Sequence, residues 1–143
     1  MSEQLTDLER AVFDKLLAGE NSELKILREQ FSKATVSTRE LTENGFFTTL
    51  KIPAVAVCLQ RKGRVTITDV SADLPQLKHG VGFVMFIDDG KISCLEGFCY
   101  DESWPDSSTD FELSYLQELP HGSGKLTASK KRDIEFALKD FAA

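Results

Sequence analysis

The sequence has few of the residues on which metal sites, disulfides and nucleophilic catalysis depend. The 143-residue chain contains only three cysteines and two histidines. No Cys-x-x-Cys or Cys-x-His spacing occurs, so the ligand pattern of a structural zinc site is absent. Three cysteines cannot pair completely within one chain, which favours free thiols in a reducing cytoplasm. We therefore predict no metal site and no cofactor.

Long apolar runs and a net positive charge are also lacking. No stretch approaches the roughly 20 apolar residues that cross a bilayer, and residues 1–4 have neither the basic nor the apolar region of a signal peptide. The formal net charge is −6, so no net basic field attracts phosphate backbones or anionic lipids. These absences predict a cytoplasmic protein that binds neither nucleic acid nor membrane. The acidity favours a basic protein partner, or it simply keeps the protein soluble.

The first 34 residues have the pattern of two amphipathic helices. Thr6 to Glu9 form a capping box, in which the two end side chains satisfy free N–H groups at the start of a helix. Apolar residues then recur at helical spacing up to Gly19, a natural helix stop. A second helix is predicted to begin at Asn21 or Ser22. Each helix carries an apolar stripe that needs a partner surface.

The rest of the chain is mostly strand material. In TVSTRELTENGFFTTLKI, residues 35–52, the pair Asn44-Gly45 predicts a two-residue type I′ turn, which would place Arg39 opposite Leu50. The runs VAVCL, RVTITDV and FELSYLQEL supply further strands. A closing helix is predicted from about Ser129, and the basic cluster SKKR at its start is interpreted as a solvated face.

The stretch GFVMFIDDGKISCLEGFCYDESWP, residues 82–105, is predicted to form the central hairpin, folded at Asp89-Gly90. A two-residue loop at that point puts Phe83 opposite Glu96. Both faces of these strands are apolar, as in strands that are covered on both sides, or on one side and by a partner.

Together these elements predict one α+β domain spanning residues 1–143. It consists of an antiparallel β-sheet with an N-terminal helical pair and a C-terminal helix packed against it. A composition of 41% hydrophobic and 28% charged residues is ordinary for such a domain.

Glu96 is the most informative polar residue of the hairpin. The predicted register places it on the more apolar face, where a carboxylate needs a hydrogen-bonded or cationic partner, and Arg39 is the predicted partner. Glu96 is then part of a structural ion pair, or simply exposed where the sheet is uncovered, or part of a site with a raised pKa. The last interpretation supports an alternative function, a small hydrolase-like enzyme that uses His79 and Glu96 together with Cys99. His79 falls opposite Tyr100 in this register; otherwise it is an ordinary loop histidine.

The predicted pairing of Gly82 with Gly97 leaves a bare patch of backbone on the hairpin. Trp104 follows close behind, and it either covers these glycines or belongs to a recognition loop. Acidic residues surround it in the sequence. The predicted contact surface comprises Glu96, Tyr100, Asp101, Glu102, Trp104 and Asp106, with Arg39 and Glu40.

Several motifs give the chain a family likeness. They are a G-x-G-F run, a D-G turn, an L-E-G-[FY] strand and a closing D-E-x-W-P, found here in VGFVMFIDDGKISCLEGFCYDESWP and its surroundings. In these motifs the chain resembles a group of small bacterial proteins of unassigned function, over roughly residues 5 to 117. The resemblance implies a bacterial cytoplasmic origin and no particular activity, and it leaves the closing helix outside.

The leading interpretation is a cytoplasmic, non-catalytic binding module with a protein partner. An immunity-like protein that neutralises a basic toxin fits the size and acidity, as does a regulatory interaction protein. An uncovered apolar sheet face would also suit a homodimer. The hydrolase-like enzyme is the alternative.

Overall fold

The computed structural model describes residues 4–106 and 110–142. Two helices come first, then eight strands, then a short helix and a 3-10 turn. Their bounds are α1 Asp7–Leu16, α2 Ser22–Lys33, β1 Thr35–Leu41, β2 Gly45–Lys51, β3 Arg64–Ile67, β4 Val70–Asp73, β5 Val81–Asp88, β6 Lys91–Cys99, β7 Glu112–Glu118, β8 Leu126–Ser129, α3 Ile134–Ala137 and the 3-10 turn Lys139–Ala142.

The eight strands form one sheet in the order β1-β2-β6-β5-β4-β7-β8, in which β3 also pairs with β5. The pairings are all antiparallel. The α+β architecture predicted from the sequence is therefore confirmed. None of the helices in the described ranges has the length and apolar content needed to cross a bilayer.

Both N-terminal helices begin at capped ends. The Thr6 hydroxyl accepts the Glu9 N–H at 3.1 Å and Glu9 Oε1 accepts the Thr6 N–H at 2.8 Å, which confirms the predicted capping box. Asn21 caps α2 by accepting the N–H groups of Glu23 and Leu24. The apolar stripes of the two helices pack on one side of the sheet and form the core with its buried side chains.

The central hairpin turns where the sequence predicts, but one extra residue changes its register. Ile87 pairs with Ile92, as expected for a turn at Asp89-Gly90. A β-bulge follows, so that Val84 and not Phe83 lies opposite Glu96. The predicted register beyond Ile92 is therefore wrong by one residue, and a shift of one residue moves every later side chain to the other face.

As a result, the two sides of β6 are exchanged relative to the prediction beyond Ile92: the side predicted to face the core is partly exposed, and the other side is buried. Leu95, Gly97 and Cys99 are buried in the core. The opposite side of the sheet carries partly exposed residues and is called the open face below. Its members are Glu40, Phe47, Val84, Phe86, Cys94, Glu96, Phe98 and Tyr100.

The β1–β2 connection also differs from the prediction. Leu41 pairs with Phe46 and Arg39 with Thr48, and the Thr42 N–H donates to the Gly45 carbonyl at 2.9 Å. Neither Asn44 nor Gly45 has a positive φ, so the type I′ turn predicted there is wrong. Gly45 is needed for another reason: a Cβ at this position would lie 1.8 Å from the carbonyl oxygen of Gly97 on β6.

Four further points differ from the prediction. The run at residues 55–59 is an irregular turn and not a strand, and β8 lies where no strand is predicted. The closing helix begins at Ile134, later than predicted. Arg132 of the SKKR cluster is not solvated: its side chain is 6% exposed and makes a bidentate pair with Asp69 at 2.9 Å, while its Nη1 donates to the Ala18 carbonyl.

The close approach at Gly45 predicts a large loss of stability for Gly45→Ala. The added methyl would collide with backbone atoms of β6, which cannot move without disturbing the sheet, so we expect a cost of about 3 kcal/mol or more. Gly63→Ala is the control, because a Cβ there meets nothing within 4 Å and only the positive φ opposes it, at about 1–2 kcal/mol. Urea denaturation measures both. A Gly45→Ala protein no less stable than Gly63→Ala would show that β2 and β6 are not in this register.

Candidate interaction surface

The structure divides the predicted contact residues between two sides of the sheet. Glu40, Glu96 and Tyr100 lie on the open face. On the helix side, a cleft of about 360 Å³ lies between α1, the β1–β2 connection and residues 104–106, and three other members of the set line it. The predicted residues in this cleft are Arg39, Trp104 and Asp106.

Arg39 does not pair with Glu96, as the sequence had predicted, because it points to the other side of the sheet. Its Nε donates to Glu9 Oε2 at 3.0 Å and its Nη2 to Glu9 Oε1 at 2.6 Å. The Thr48 hydroxyl also donates to Glu9. Glu9 is only 2% exposed, so α1 is joined to β1 and β2 through a buried ion pair.

These contacts determine the charge state of Glu9. Burial by itself raises the pKa of Glu9, but the hydrogen bonds from Arg39 and Thr48 outweigh it, so that the pKa lies below its ordinary value. Glu9 is therefore a carboxylate whose two oxygens are already engaged. It holds the wall of the cleft in place and has little capacity left for a ligand.

Trp104 packs on the helix side and not over a bare pair of glycines. Its ring meets Phe46 edge-on at 5.2 Å, and the Phe46 ring in turn covers Gly97, where a Cβ would come within 2.4 Å of it. Gly82 lies on the opposite face and is covered by Phe98. The predicted Gly82–Gly97 patch is therefore wrong, for the same reason as the register. Trp104 itself stays partly exposed at the mouth of the cleft.

Asp101 and Glu102 lie in the turn that leaves β6. Asp101 is exposed, with φ of 54°. Glu102 is engaged inside the protein: its carboxylate accepts the N–H of Lys78 at 3.1 Å and that of His79 at 3.4 Å. Its carbonyl accepts from the Asn44 side chain at 2.8 Å. Glu102 thus joins three loops at this end of the sheet, a role that its sequence position did not indicate.

The residues of the hydrolase-like alternative do not converge. Glu96 lies on the open face, whereas Cys99 lies on the core side, where its thiol contacts the carbonyl oxygens of Asn44 at 3.2 Å and Glu102 at 3.1 Å. Burial raises the pKa of Cys99, which disfavours a nucleophilic thiolate. The His79 side chain is exposed in the loop before β5. Within residues 4–106 and 110–142, no group of three His, Cys, Asp or Glu residues could hold a metal ion.

Glu96 is central to the open face. In the sheet it has Phe47 of β2 on one side and Val84 of β5 on the other. Phe98 and Tyr100 follow it on the same strand and pack edge to face at 5.5 Å. Burial among these side chains raises the pKa of Glu96. No hydrogen bond or ion pair links its carboxylate to any other residue that the structure describes.

The other charged groups of this face lie at its margins. Arg64 is bound to Asp88 at 2.7 Å and lies over the Phe86 ring at 4.7 Å, so its charge is compensated. Glu40 is exposed on β1, beside Phe47. The open face is thus an apolar surface with one unpaired acid near its middle, the acid Glu40 at its β1 edge and the exposed Lys51 at the end of β2. Such a surface can accept a cationic side chain together with apolar contacts.

Comparisons with protein-family models, curated proteins and solved structures gave no match for this chain.

The Glu9–Arg39 pair makes stability depend on pH in a defined direction. Because the pKa of Glu9 is lower in the folded than in the unfolded state, its contribution is complete above the unfolded pKa of about 4.3 and is lost as the pH falls through the folded pKa. At pH 7 we expect Glu9→Gln to cost about 3 kcal/mol, since it leaves Arg39 without its counter-charge.

Urea denaturation of wild type and Glu9→Gln between pH 7 and pH 2 tests this expectation. The stability difference should shrink as the pH falls below the unfolded pKa of about 4.3, because the unfolded state then binds a proton that the folded carboxylate does not, and it should be smallest below the folded pKa. Glu20→Gln is the matched control and should stay close to wild type, because Glu20 is exposed and its side chain has no hydrogen bond or ion pair with a described residue. A difference for Glu9→Gln that does not change with pH would contradict the ion pair.

Proposed function

We propose that this protein is a non-catalytic binding module that holds a basic protein partner on the open face of its sheet. The observation that carries the proposal is the Glu96 carboxylate, which lies among apolar side chains without a partner in the described chain. Desolvating a carboxylate further, without giving it a donor, would be costly. A Lys or Arg side chain from a partner removes that cost and forms a charge-assisted hydrogen bond.

The surroundings of Glu96 supply the rest of a protein-binding surface. Phe47, Val84, Phe86 and Phe98 offer apolar area on neighbouring strands of a rigid sheet, and Tyr100 is 48% exposed with a polar tip. Aromatic residues of this kind dominate binding energy at protein interfaces. Because the strands are already ordered, little conformational entropy is lost on binding.

The charge distribution favours a basic partner over a second copy of the chain. The protein has a net charge of −6, the exposed Glu40 lies level with Glu96 across β2, and the exposed Asp101 follows Tyr100. This field accelerates the approach of a basic protein. In a symmetric dimer through the open faces, two Glu96 carboxylates would be buried in one interface, which opposes association.

We extend the proposal to the class of protein: an immunity-like module of the cytoplasm that neutralises a basic toxin, or a regulatory interaction protein. The size, the acidity and a preformed binding face support either. The cleft beside Trp104 and Arg39 lies on the helix side and is not part of this surface.

Glu96→Lys tests the proposal. The partner is isolated on immobilised wild-type protein, purified, and titrated calorimetrically with each variant. We expect Glu96→Lys to weaken binding by roughly 100-fold or more, as when one member of a buried interfacial charge pair is lost. Its thermal stability should stay near wild type, because Glu96 has no internal partner to lose.

The matched control is Glu20→Lys, which makes the same change of charge at an exposed position between α1 and α2. Its affinity for the partner should lie within a few-fold of the wild-type affinity. Equal affinities of Glu96→Lys and wild type would refute the proposal. So would a wild-type dimer that Glu96→Lys dissociates, because this result would assign the open face to a second copy.

A further inference from the structure

A second exposed surface lies in the connection between β2 and β3. Residues 52–58, with the sequence IPAVAVC, form what we call the apolar turn. Val55 is 82% exposed and Val57 55% exposed, and Ala54 between Pro53 and Val55 is exposed too. The other strongly exposed hydrophobic residues, such as Leu41 and Leu126, lie singly. A contiguous exposed apolar patch calls for an explanation that a single exposed leucine does not.

Hydrogen bonds to the backbone of the apolar turn hold these valines in their exposed positions. The Ala56 N–H donates to the Pro53 carbonyl at 3.0 Å, and Ala56 itself is buried. Gln30 of α2, a fully buried side chain, donates to the Val57 carbonyl at 3.1 Å and to the Gly90 carbonyl at 2.7 Å. The backbone of the turn is thus held from inside while its valines point outward. Such preorganisation lowers the entropic cost of binding.

Lysines border the apolar turn, in contrast to the acidic character of the whole chain. Lys51 precedes the turn at the end of β2, and Lys91 follows Gly90, whose carbonyl also accepts the Leu59 N–H. Lys33 ends α2, one helical turn after Gln30, and Lys62 stands beside Gly63, which is bound to Asp89. All four lysines are exposed, and none has an ion pair with a described residue.

The acidic residues near the apolar turn are too few to cancel the charge of these lysines. Glu23 is paired with Arg61 at 3.7 Å and Asp88 with Arg64 at 2.7 Å. Asp89 accepts the Gly63 N–H at 2.7 Å, Asp140 accepts the Thr66 N–H of β3 at 3.0 Å, and Glu29 is exposed on α2. The four lysines therefore outnumber the three acids that have no arginine partner. The apolar turn therefore projects from a part of the surface whose local net charge is positive.

We propose that the apolar turn is a second interaction surface, which inserts Val55 and Val57 into an apolar pocket, rimmed by Asp and Glu, on another protein. The acidic rim is inferred because it would complement the charge of the lysines, and the apolar pocket because it would bury the two valines. A protein is favoured over an anionic membrane because the turn carries no aromatic or leucine anchor and the chain as a whole is negative. With the open face, the protein then has two distinct interaction surfaces and can bridge two partners.

The experiment places a photo-crosslinking amino acid at position 55 in the full chain in its native cells, with position 126 as the control. Leu126 is 54% exposed on β8, far along the sheet from the turn. We expect a crosslink from position 55, and none from position 126, to a peptide rich in Asp and Glu on another protein. That protein is then purified and titrated with the variants.

The titration separates this surface from the open face. Val55→Ser with Val57→Ser should weaken binding about tenfold or more, and so should Lys33→Glu with Lys51→Glu and Lys91→Glu. Glu96→Lys should leave this binding unchanged, so failure here and failure of the proposed function are distinguishable. The proposal is overturned by a crosslink to the chain itself, by no crosslink, by a partner peptide without acids, or by cosedimentation with phosphatidylserine vesicles that the valine changes abolish.

Discussion

The β-bulge at Ser93 decides what the open face consists of. The bulge adds one residue to β6, so everything after it is turned to the other side relative to a regular hairpin. Leu95 then fills the core and Glu96 faces outward between Phe47 and Val84. Without the extra residue, the acid would be buried against the helices and the leucine exposed. The bulge is supported locally, since the Ser93 hydroxyl contacts the Phe86 carbonyl at 3.2 Å.

The buried polar contacts of the fold all secure the helix side of the sheet. Glu9 joins α1 to β1 and β2, and Arg132 joins the C-terminal segment to Asp69 and the end of α1. Gln30 joins α2 to the central hairpin, where its Oε1 accepts the Ile92 N–H at 3.0 Å. Because these contacts fix the helices to one side, the other side of the same apolar strands stays partly exposed.

Local signals in the sequence predicted local structure well. The capping box at Thr6 and the turn at Asp89-Gly90 are confirmed because each depends on a few neighbouring residues. The bulge at Ser93 and the role of Gly45 could not be predicted, since both depend on contacts between strands that are distant in sequence. The same error affects the prediction for Glu96: the residue lies on the other face of the sheet, and Arg39 pairs with Glu9 instead.

If the open face holds a basic partner, the partly exposed Glu96 carboxylate can react with a reagent in the free protein and is covered in the complex. Carbodiimide labelling of carboxylates, read by mass spectrometry, tests this expectation directly on the purified protein and on the protein in its native cell extract. Glu9, at 2% exposed, should stay unlabelled in both and serves as the internal standard. The account predicts that Glu96 is labelled in the purified protein and protected in the extract. Equal labelling of Glu96 in both samples would contradict it.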